Sequence, residues 1–108
     1  MTDVYKKEDG TALNATDDAD IITKHMTACG HAVKQIDDIK AGTDFHKTSN
    51  GFTQAEINGV VDRSVGHLEL MRNESWYRAD DVTRSGNATK VKHAAAIATG
   101  KQYITDNT

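Results

Sequence analysis

Three side chains with metal-binding or nucleophilic chemistry lie close together in the first third of the sequence: His25, Cys29 and His31. His25 and Cys29 are four residues apart, so on a helix both would face one side and could contribute to a zinc site. His31 would point well away from His25 on the same helix. Cys29 also falls on an apolar stripe, where a free cysteine usually behaves as a small hydrophobic residue. We therefore interpret Cys29 as a buried structural residue and predict no metal ligands and no cofactor.

A second pattern, His67-Leu68-Glu69, matches the His-x-Glu half of the zinc deaminase signature. Those enzymes also need a Pro-Cys-x-x-Cys segment, and this sequence has no proline and one cysteine. A Cys-His hydrolase would have to pair Cys29 with a distant His67 or His93, but burial on a packing face would raise the pKa of the thiol and block access to it. We therefore predict no catalytic residues and expect a protein that is not an enzyme.

Charge is unevenly distributed along the chain, whose formal net charge is −3. Residues 1–20 carry two lysines and six acidic residues, whereas residues 82–101 carry four basic residues and no acidic one. Within the basic segment, Lys90, Lys92 and His93 are candidates for contacts with phosphate groups. Nucleic-acid binding through Arg84, Lys90 and Lys92 is therefore an alternative function. A sequence pI near 5.9 favours an ordinary solvated face or a contact between the acidic arm of one subunit and the basic segment of a neighbour.

The segment Trp76-Tyr77-Arg78 is the richest local cluster of residue types that are enriched at protein interfaces. An equally weighted alternative is that Trp76 closes the open end of a helix bundle. The polar N-terminal arm and the basic segment also supply residues that could reach a neighbouring subunit. The candidate interface residues are Tyr5, Leu13, Trp76, Tyr77, Arg78, Arg84, Lys90 and Lys92.

The chain segments that carry these candidate residues have the apolar periodicity of α-helices. From residue 18 onward, apolar side chains recur at alternating spacings of four and three, which predicts a helix over 18–41 that packs lengthwise on another helix. Ala28 and Ala32 widen the stripe with small side chains that allow close approach. Gly42 is expected to end this helix in the position that favours glycine. The stripe consists of Ile22, Met26, Cys29, Val33 and Ile36.

The second helix has the clearest start signal in the chain. Thr53 and Glu56 have the spacing of a capping box, and Phe52 and Ile57 flank it in the positions of a hydrophobic staple. An apolar face then predicts a helix over 54–72, with an extension to 81 left open. Its apolar residues are Ile57, Val60, Val61, Val65, Leu68 and Met71.

A third helix is predicted over 87–104, with Asn87 as its N-cap. We expect it to bury a weak apolar face and to be weakened in its last turns by Gly100. The connection of about ten residues before the second helix is long, and we expect Phe45 and Phe52 to hold it against the core. The expected face of the third helix consists of Val91, Ala94, Ala95, Ala98 and Ile104.

Composition bounds the fold that these helices can form. A length of 108 residues fits one domain, which we place at 18–104 with an extended arm over 1–17 and a tail over 105–108. Only 19 residues are Leu, Ile, Val or Phe, against 13 Ala and 13 Thr, so the core buries little apolar area per residue. We therefore predict a mainly α protein that is marginally stable as an isolated monomer.

These features favour a structural subunit of a larger oligomeric assembly, with other protein subunits as its partners. A bacteriophage virion component (head, neck or cement protein) is the preferred setting, on the general character of the chain and not on a motif. A small helical nucleic-acid-binding or regulatory protein and an inhibitor that docks on a host enzyme are the alternatives. The first ten residues are polar and no apolar run could span a bilayer, so we expect a cytoplasmic or virion protein without a secretory signal.

Overall fold

A computed structural model describes residues 11, 13, 19–73 and 90–108 of the chain. These residues are mainly α-helical, which confirms the predicted fold class. The helices are α1 (Ala19–Ala41), α2 (Gln54–Met71) and α3 (Lys90–Asp106), and a short 3₁₀ helix (Thr48–Asn50) lies between α1 and α2.

Helix α1 buries the predicted stripe, in which no side chain is more than 3% exposed. It ends at the predicted glycine, because Gly42 adopts a φ of 79° that other residues rarely tolerate. The Gly42 N–H donates to the carbonyl of Ile39 at 3.1 Å, and the Thr43 N–H donates to the carbonyl of Asp38 at 2.9 Å. This pair of hydrogen bonds is a Schellman motif, which turns the chain away from α1.

Helix α2 begins with the predicted capping box. The Glu56 N–H donates to the Thr53 hydroxyl at 3.1 Å, and the Thr53 N–H donates to Glu56 Oε1 at 2.9 Å. These hydrogen bonds favour the charged carboxylate and lower the pKa of Glu56 below its usual range. The helix ends at Met71, and Arg72 is its C-cap, so α2 does not continue unbroken to 81. Residues 74–89 lie outside the described part of the chain.

Helix α3 presents to the core a face that matches the predicted one only at Ile104, which is half-buried and packs against the core. Its buried residues are spaced as i, i+3, i+4 and i+7, whereas Ala94, Ala95 and Ala98 are exposed. The alanines did not indicate which face of α3 packs on the core, because they occur on several sides of the helix. The buried face also includes a histidine and a glycine, which a search for apolar periodicity does not detect. The described buried residues of α3 are His93, Ala96, Ile97 and Gly100.

The end of α3 also differs from prediction. The helix continues through Asp106, so residues 105 and 106 belong to it and not to a C-terminal tail. The Asn107 N–H donates to the carbonyls of Tyr103 at 3.1 Å and Ile104 at 3.2 Å. These bonds satisfy carbonyl groups that a helix end otherwise leaves unpaired. The predicted N-cap, Asn87, lies outside the described residues.

Gly100 is the point of closest packing between α3 and the other two helices. A β-carbon placed on Gly100 would overlap Val65 and would lie 3.2 Å from Val61 and 3.5 Å from Ile36. The glycine therefore does not simply weaken α3, as the sequence analysis expected. It allows the backbone of α3 to approach branched side chains of α1 and α2.

Polar contacts reinforce the packing of α3 on α2. The Gln54 amide donates to the Tyr103 hydroxyl at 2.9 Å, and the Asn58 amide donates to the carbonyl of Asn107 at 3.1 Å. The beginning of α2 therefore lies beside the end of α3. On the same flank of α2, Lys101 Nζ lies 3.0 Å from Glu69 Oε2.

The connection between α1 and α2 meets the core through one of its two phenylalanines. Phe52 is half-buried and packs against the core, as predicted. Phe45 is instead 68% exposed and packs edge-on against Phe52, with 5.5 Å between ring centroids. The reason is local, because Phe52 precedes the capping box directly and occupies the available apolar surface.

The core is formed by small and branched side chains from all three helices. Leu13, which the sequence analysis placed in an arm outside the core, is 7% exposed and belongs to this cluster. None of the described helices has the length and apolar character needed to cross a membrane. The buried apolar residues are Leu13, Ile22, Met26, Cys29, Ala32, Val33, Ile36, Ile39, Ile57, Val60, Val61, Val65, Leu68, Met71, Ala96 and Ile97.

Replacing Gly100 with alanine tests the close packing of α3. We expect Gly100→Ala to lower the free energy of unfolding by about 1 to 3 kcal/mol, because the added methyl overlaps the buried, stiff side chain of Val65. Gly66→Ala is the matched control, since its β-carbon would meet nothing within 4 Å, and it should stabilise the chain by about 0.5 to 1 kcal/mol. Urea unfolding measures both, and stabilisation by Gly100→Ala would contradict this packing.

Candidate functional site

A groove runs between α1 and α2, on the flank of α2 that faces away from α3. Its central part is a cavity of about 430 Å³, lined by both helices and by His46 of the connection. A second cavity of about 450 Å³ adjoins it and shares His46, Val60 and Arg63. We call the two cavities together the α1/α2 groove. The remaining lining residues are Ala28, His31, Ala32, Gln35, Phe52, Glu56, Gly59, Ser64 and His67.

The positions that line the α1/α2 groove follow from helical spacing. On α1, residues 28, 31, 32 and 35 recur at the i, i+3, i+4 and i+7 positions of one face. On α2, residues 60, 63, 64 and 67 have the same spacing. Each set lies beside the buried stripe of its helix. The groove therefore runs along one edge of the contact between α1 and α2.

The floor of the groove contains one interhelical hydrogen bond. Ser64, only 7% exposed, donates its hydroxyl to Gln35 Oε1 at 3.2 Å. This bond compensates the cost of burying the hydroxyl and aligns α1 with α2.

His46 enters the groove from the connection and is held in place by Asp44. Its Nδ1 lies 2.8 Å from Asp44 Oδ2, and its backbone N–H donates to the same oxygen at 2.9 Å. A carboxylate that orients a histidine is one part of a hydrolytic triad. Within the described residues, however, the Ser64 hydroxyl donates to Gln35 and forms no hydrogen bond with His46. Asp44 and His46 therefore form an acid–base pair, and within the described residues the Ser64 hydroxyl is not placed to act as its nucleophile.

His67 lies on the groove side of α2 and has a shifted pKa. Its Nε2 atom is inaccessible to solvent and has no hydrogen-bond partner among the described residues. Burial lowers the pKa of His67 below its usual value of 6.5, and the nearby charge of His25 lowers it further. His67 is therefore a neutral imidazole in the folded protein at neutral pH.

The neutral state of His67 predicts how stability depends on pH. The unfolded chain binds a proton at this residue near the ordinary pKa of about 6.5, whereas the folded chain binds it only at lower pH. The free energy of unfolding should therefore fall as pH decreases through about 6.5 and level off below the folded pKa. Urea unfolding at about pH 5.5 and about pH 7.5 measures the difference.

His67→Gln should reduce that pH dependence, because it removes the group that must stay neutral. The exposed His31→Gln in the same groove is the control and should keep the wild-type difference between the two pH values. An unchanged pH dependence in His67→Gln would show that another group is responsible.

Cys29 is completely buried in the core, as the sequence analysis predicted. Burial raises the pKa of its thiol to about 12, so the nucleophilic thiolate is scarce at neutral pH. Among the described residues, no three histidine, cysteine or acidic side chains lie close enough together to hold a metal ion. The structure therefore does not assemble His25, Cys29 and His31 into a metal site.

Thiol labelling tests the environment of Cys29. We expect a disulfide reagent to label the native protein only as fast as the core opens, and to label it at once in strong denaturant. Rapid labelling under native conditions would contradict the burial of this residue.

The predicted interface residues have different positions. Leu13 is buried in the core of its own chain, Lys90 begins α3, and Lys92 is exposed on α3. The structure does not bring these three residues together at one described site. The other candidates, Tyr5, Trp76, Tyr77, Arg78 and Arg84, lie outside the described residues.

The sequence analysis missed the exposed apolar residues that lie along the groove. Ile21 is 44% exposed and lies seven residues before Ala28, on the same face of α1. Leu70 is 45% exposed and lies seven residues after Arg63, on the groove side of α2. Phe45 packs on Phe52 at the opposite end. The spacing of Ile21 and Leu70 from the groove residues is visible in the sequence, but it indicates their position beside the groove only once the groove is known.

These three residues are the large hydrophobic side chains that are exposed in the described part of the chain. Single exposed apolar residues are common on protein surfaces, and these three lie near the two ends of one groove. Comparisons with family models, curated proteins and solved structures found no match to this chain.

Proposed function

We propose that the protein is a non-enzymatic structural subunit that assembles with further copies of itself through the α1/α2 face. The observation that carries the proposal is the exposure of Ile21, Leu70 and Phe45, whose positions in the chain place them near the two ends of the α1/α2 groove. Fully burying an exposed side chain of this size contributes about 1.5 to 3 kcal/mol, and an interface gains the part of this that corresponds to the exposed fraction of each residue.

The composition of the core supports the same proposal. Seven of the sixteen buried apolar residues in the described part of the chain are valine, alanine or cysteine, which bury less area per residue than isoleucine, leucine or methionine. A chain with such a core gains proportionally more from covering an additional apolar face than a chain with a large core does. Assembly therefore adds stability that the isolated fold lacks.

The proposal also names the biological particle in which this assembly occurs. We place the assembly in a virus particle, as a head, neck or cement component of a bacteriophage virion, on the character of the sequence. An inhibitor that docks on a single host enzyme would use the same face, but it would be recovered from a cell extract with that enzyme and not with copies of itself.

Nucleic-acid binding is less well supported by the geometry. The basic segment identified in the sequence includes Lys101, whose ammonium group lies 3.0 Å from the Glu69 carboxylate. Part of the positive charge is therefore neutralised within the chain and attracts phosphate groups less strongly.

Light scattering coupled to size-exclusion chromatography tests the assembly. We expect the wild-type chain to form oligomers whose mass increases with concentration, and we expect Phe45→Ser and Leu70→Ser to shift the chain toward the monomer. Both side chains are exposed, so their replacement should leave the helical content unchanged. Gln102→Ser, an exposed truncation on α3, is the control and should assemble as the wild type does. A wild-type chain that remains monomeric at all concentrations would refute the proposal.

A further inference from the structure

We propose that protonation of histidines in the α1/α2 groove separates the assembled copies, so that the chain assembles near neutral pH and dissociates below about pH 6. This inference rests on the proposed function and describes how the same surface is regulated. The partner is a second copy of this chain, and the histidines lie on the face that this copy covers.

Histidines are concentrated at the α1/α2 groove. The chain has five histidines, of which His31, His46 and His67 line the central cavity. His25 lies close enough to His67 for its charge to lower the pKa of His67. The fifth, His93, is buried in the core on α3, and no described residue of α3 lines either cavity. Because histidine titrates near pH 6.5, the charge of this face changes in mild acid.

Near neutral pH the groove carries charges of both signs. Arg63 lines both cavities, and Glu56 lines the adjoining one. Asp44 Oδ2 lies 2.8 Å from His46 Nδ1. Lys24 is exposed on the same face of α1 as the groove residues, four positions before the first of them. Two cations and two carboxylates of the described residues therefore lie in or beside the groove, and a second copy covers a face with little net charge.

Acid adds positive charge to the centre of the groove. His31, His67 and Arg63 line the central cavity together, and no carboxylate of the described residues lines it. Glu56 lines only the adjoining cavity, where its carboxylate accepts a backbone N–H at the start of α2. Asp62 lies about 100° around α2 from Arg63 and lines neither cavity. A proton on His31 or His67 therefore places a positive charge near Arg63, and like charges repel.

The three histidines of the central cavity respond differently to acid. His46 has the Asp44 carboxylate beside it, which balances a positive charge on the ring. The Nε2 atom of His67 is buried without a hydrogen-bond partner among the described residues, so its protonation also opposes folding. His31 is exposed in the isolated chain, and only a covering copy removes it from water. His31 therefore couples pH to assembly without coupling it to folding.

The direction of the pH effect follows from proton linkage. Covering His31 beside Arg63 disfavours the charged imidazole, so the assembled state binds fewer protons than the separate copies do. Association is then strongest above about pH 6.5 and weakens as the pH falls below it. Each histidine that stays neutral in the contact lowers the association constant by up to about tenfold per pH unit.

The net charge of the whole chain predicts the opposite trend. The formal net charge is −3 with neutral histidines, and the sequence pI is near 5.9. Mild acid therefore reduces the overall repulsion between copies, and proteins associate non-specifically most readily near zero net charge. Dissociation in mild acid is thus the result that distinguishes the histidines of the groove from a general effect of charge.

Light scattering coupled to size-exclusion chromatography at about pH 7.5 and about pH 5.5 tests the inference. We expect the wild type to assemble at the higher pH and to shift toward the monomer at the lower pH, with its helical circular dichroism retained. At the lower pH, His31→Gln should associate about tenfold more tightly than the wild type. The dependence of its unfolding free energy on pH should remain that of the wild type, because His31 is exposed in the isolated chain.

A permanent charge at the same position gives a test that needs no change of pH. His31→Lys should remain monomeric at about pH 7.5, at a concentration at which the wild type assembles. Gln102→Lys is the matched control, because it adds the same charge at an exposed position on α3, away from the groove. It should assemble as the wild type does.

The outcomes separate this inference from the proposed function. Wild-type assembly that is equal or stronger at the lower pH would overturn the inference and leave the proposed function standing. Assembly of His31→Lys to the wild-type mass would do the same, and this arm decides the question if the helical signal is lost in acid. A wild-type chain that is monomeric at the higher pH would refute the proposed function and the inference together.

Discussion

The packing of three helices in this protein depends on how closely α3 approaches its neighbours at Gly100. Because that position lacks a side chain, Val65 and Val61 of α2 and Ile36 of α1 fit directly against the backbone of α3. None of the sixteen buried apolar residues in the described chain is aromatic, so the helices must lie close together for this core to reach native density. The absence of a β-carbon at position 100 allows this close approach.

The position of α3 also determines which face of α2 stays available. Hydrogen bonds from Gln54 and Asn58, together with the ion pair of Glu69, hold α3 along one flank of α2. The opposite flank borders the α1/α2 groove, where the Ser64 hydroxyl donates to Gln35 and Ala28 and Ala32 contribute small side chains to the lining. The contacts with α3 and the groove therefore lie on opposite flanks of α2.

Local signals in the sequence were sufficient for the features that one or two residues determine. The capping box of Thr53 and Glu56, the left-handed conformation of Gly42 and the buried stripe of α1 each follow from short-range rules. The inner face of α3 could not be derived in the same way, because its alanines are distributed around the helix and its orientation is determined by the fit of Gly100 against α2.

The candidate site was less accessible to sequence reasoning than the helices were. Its polar residues, such as Arg63 and His67, have the composition of an ordinary solvated face, and only the three-dimensional structure shows that they border a groove. The exposure of Phe45 depends on competition with Phe52 for the same apolar surface, which no local pattern reveals. The burial of Leu13 likewise depends on long-range packing.

Internal hydrogen bonds hold the connection between α1 and α2, which carries Phe45. The Asn50 amide donates to the carbonyl of Phe45 at 2.8 Å, and the Gly51 N–H donates to the carbonyl of Thr48 at 3.0 Å. A loop that is ordered before binding loses little conformational entropy when a partner covers it. A partner that covered this end would therefore meet a preorganised surface.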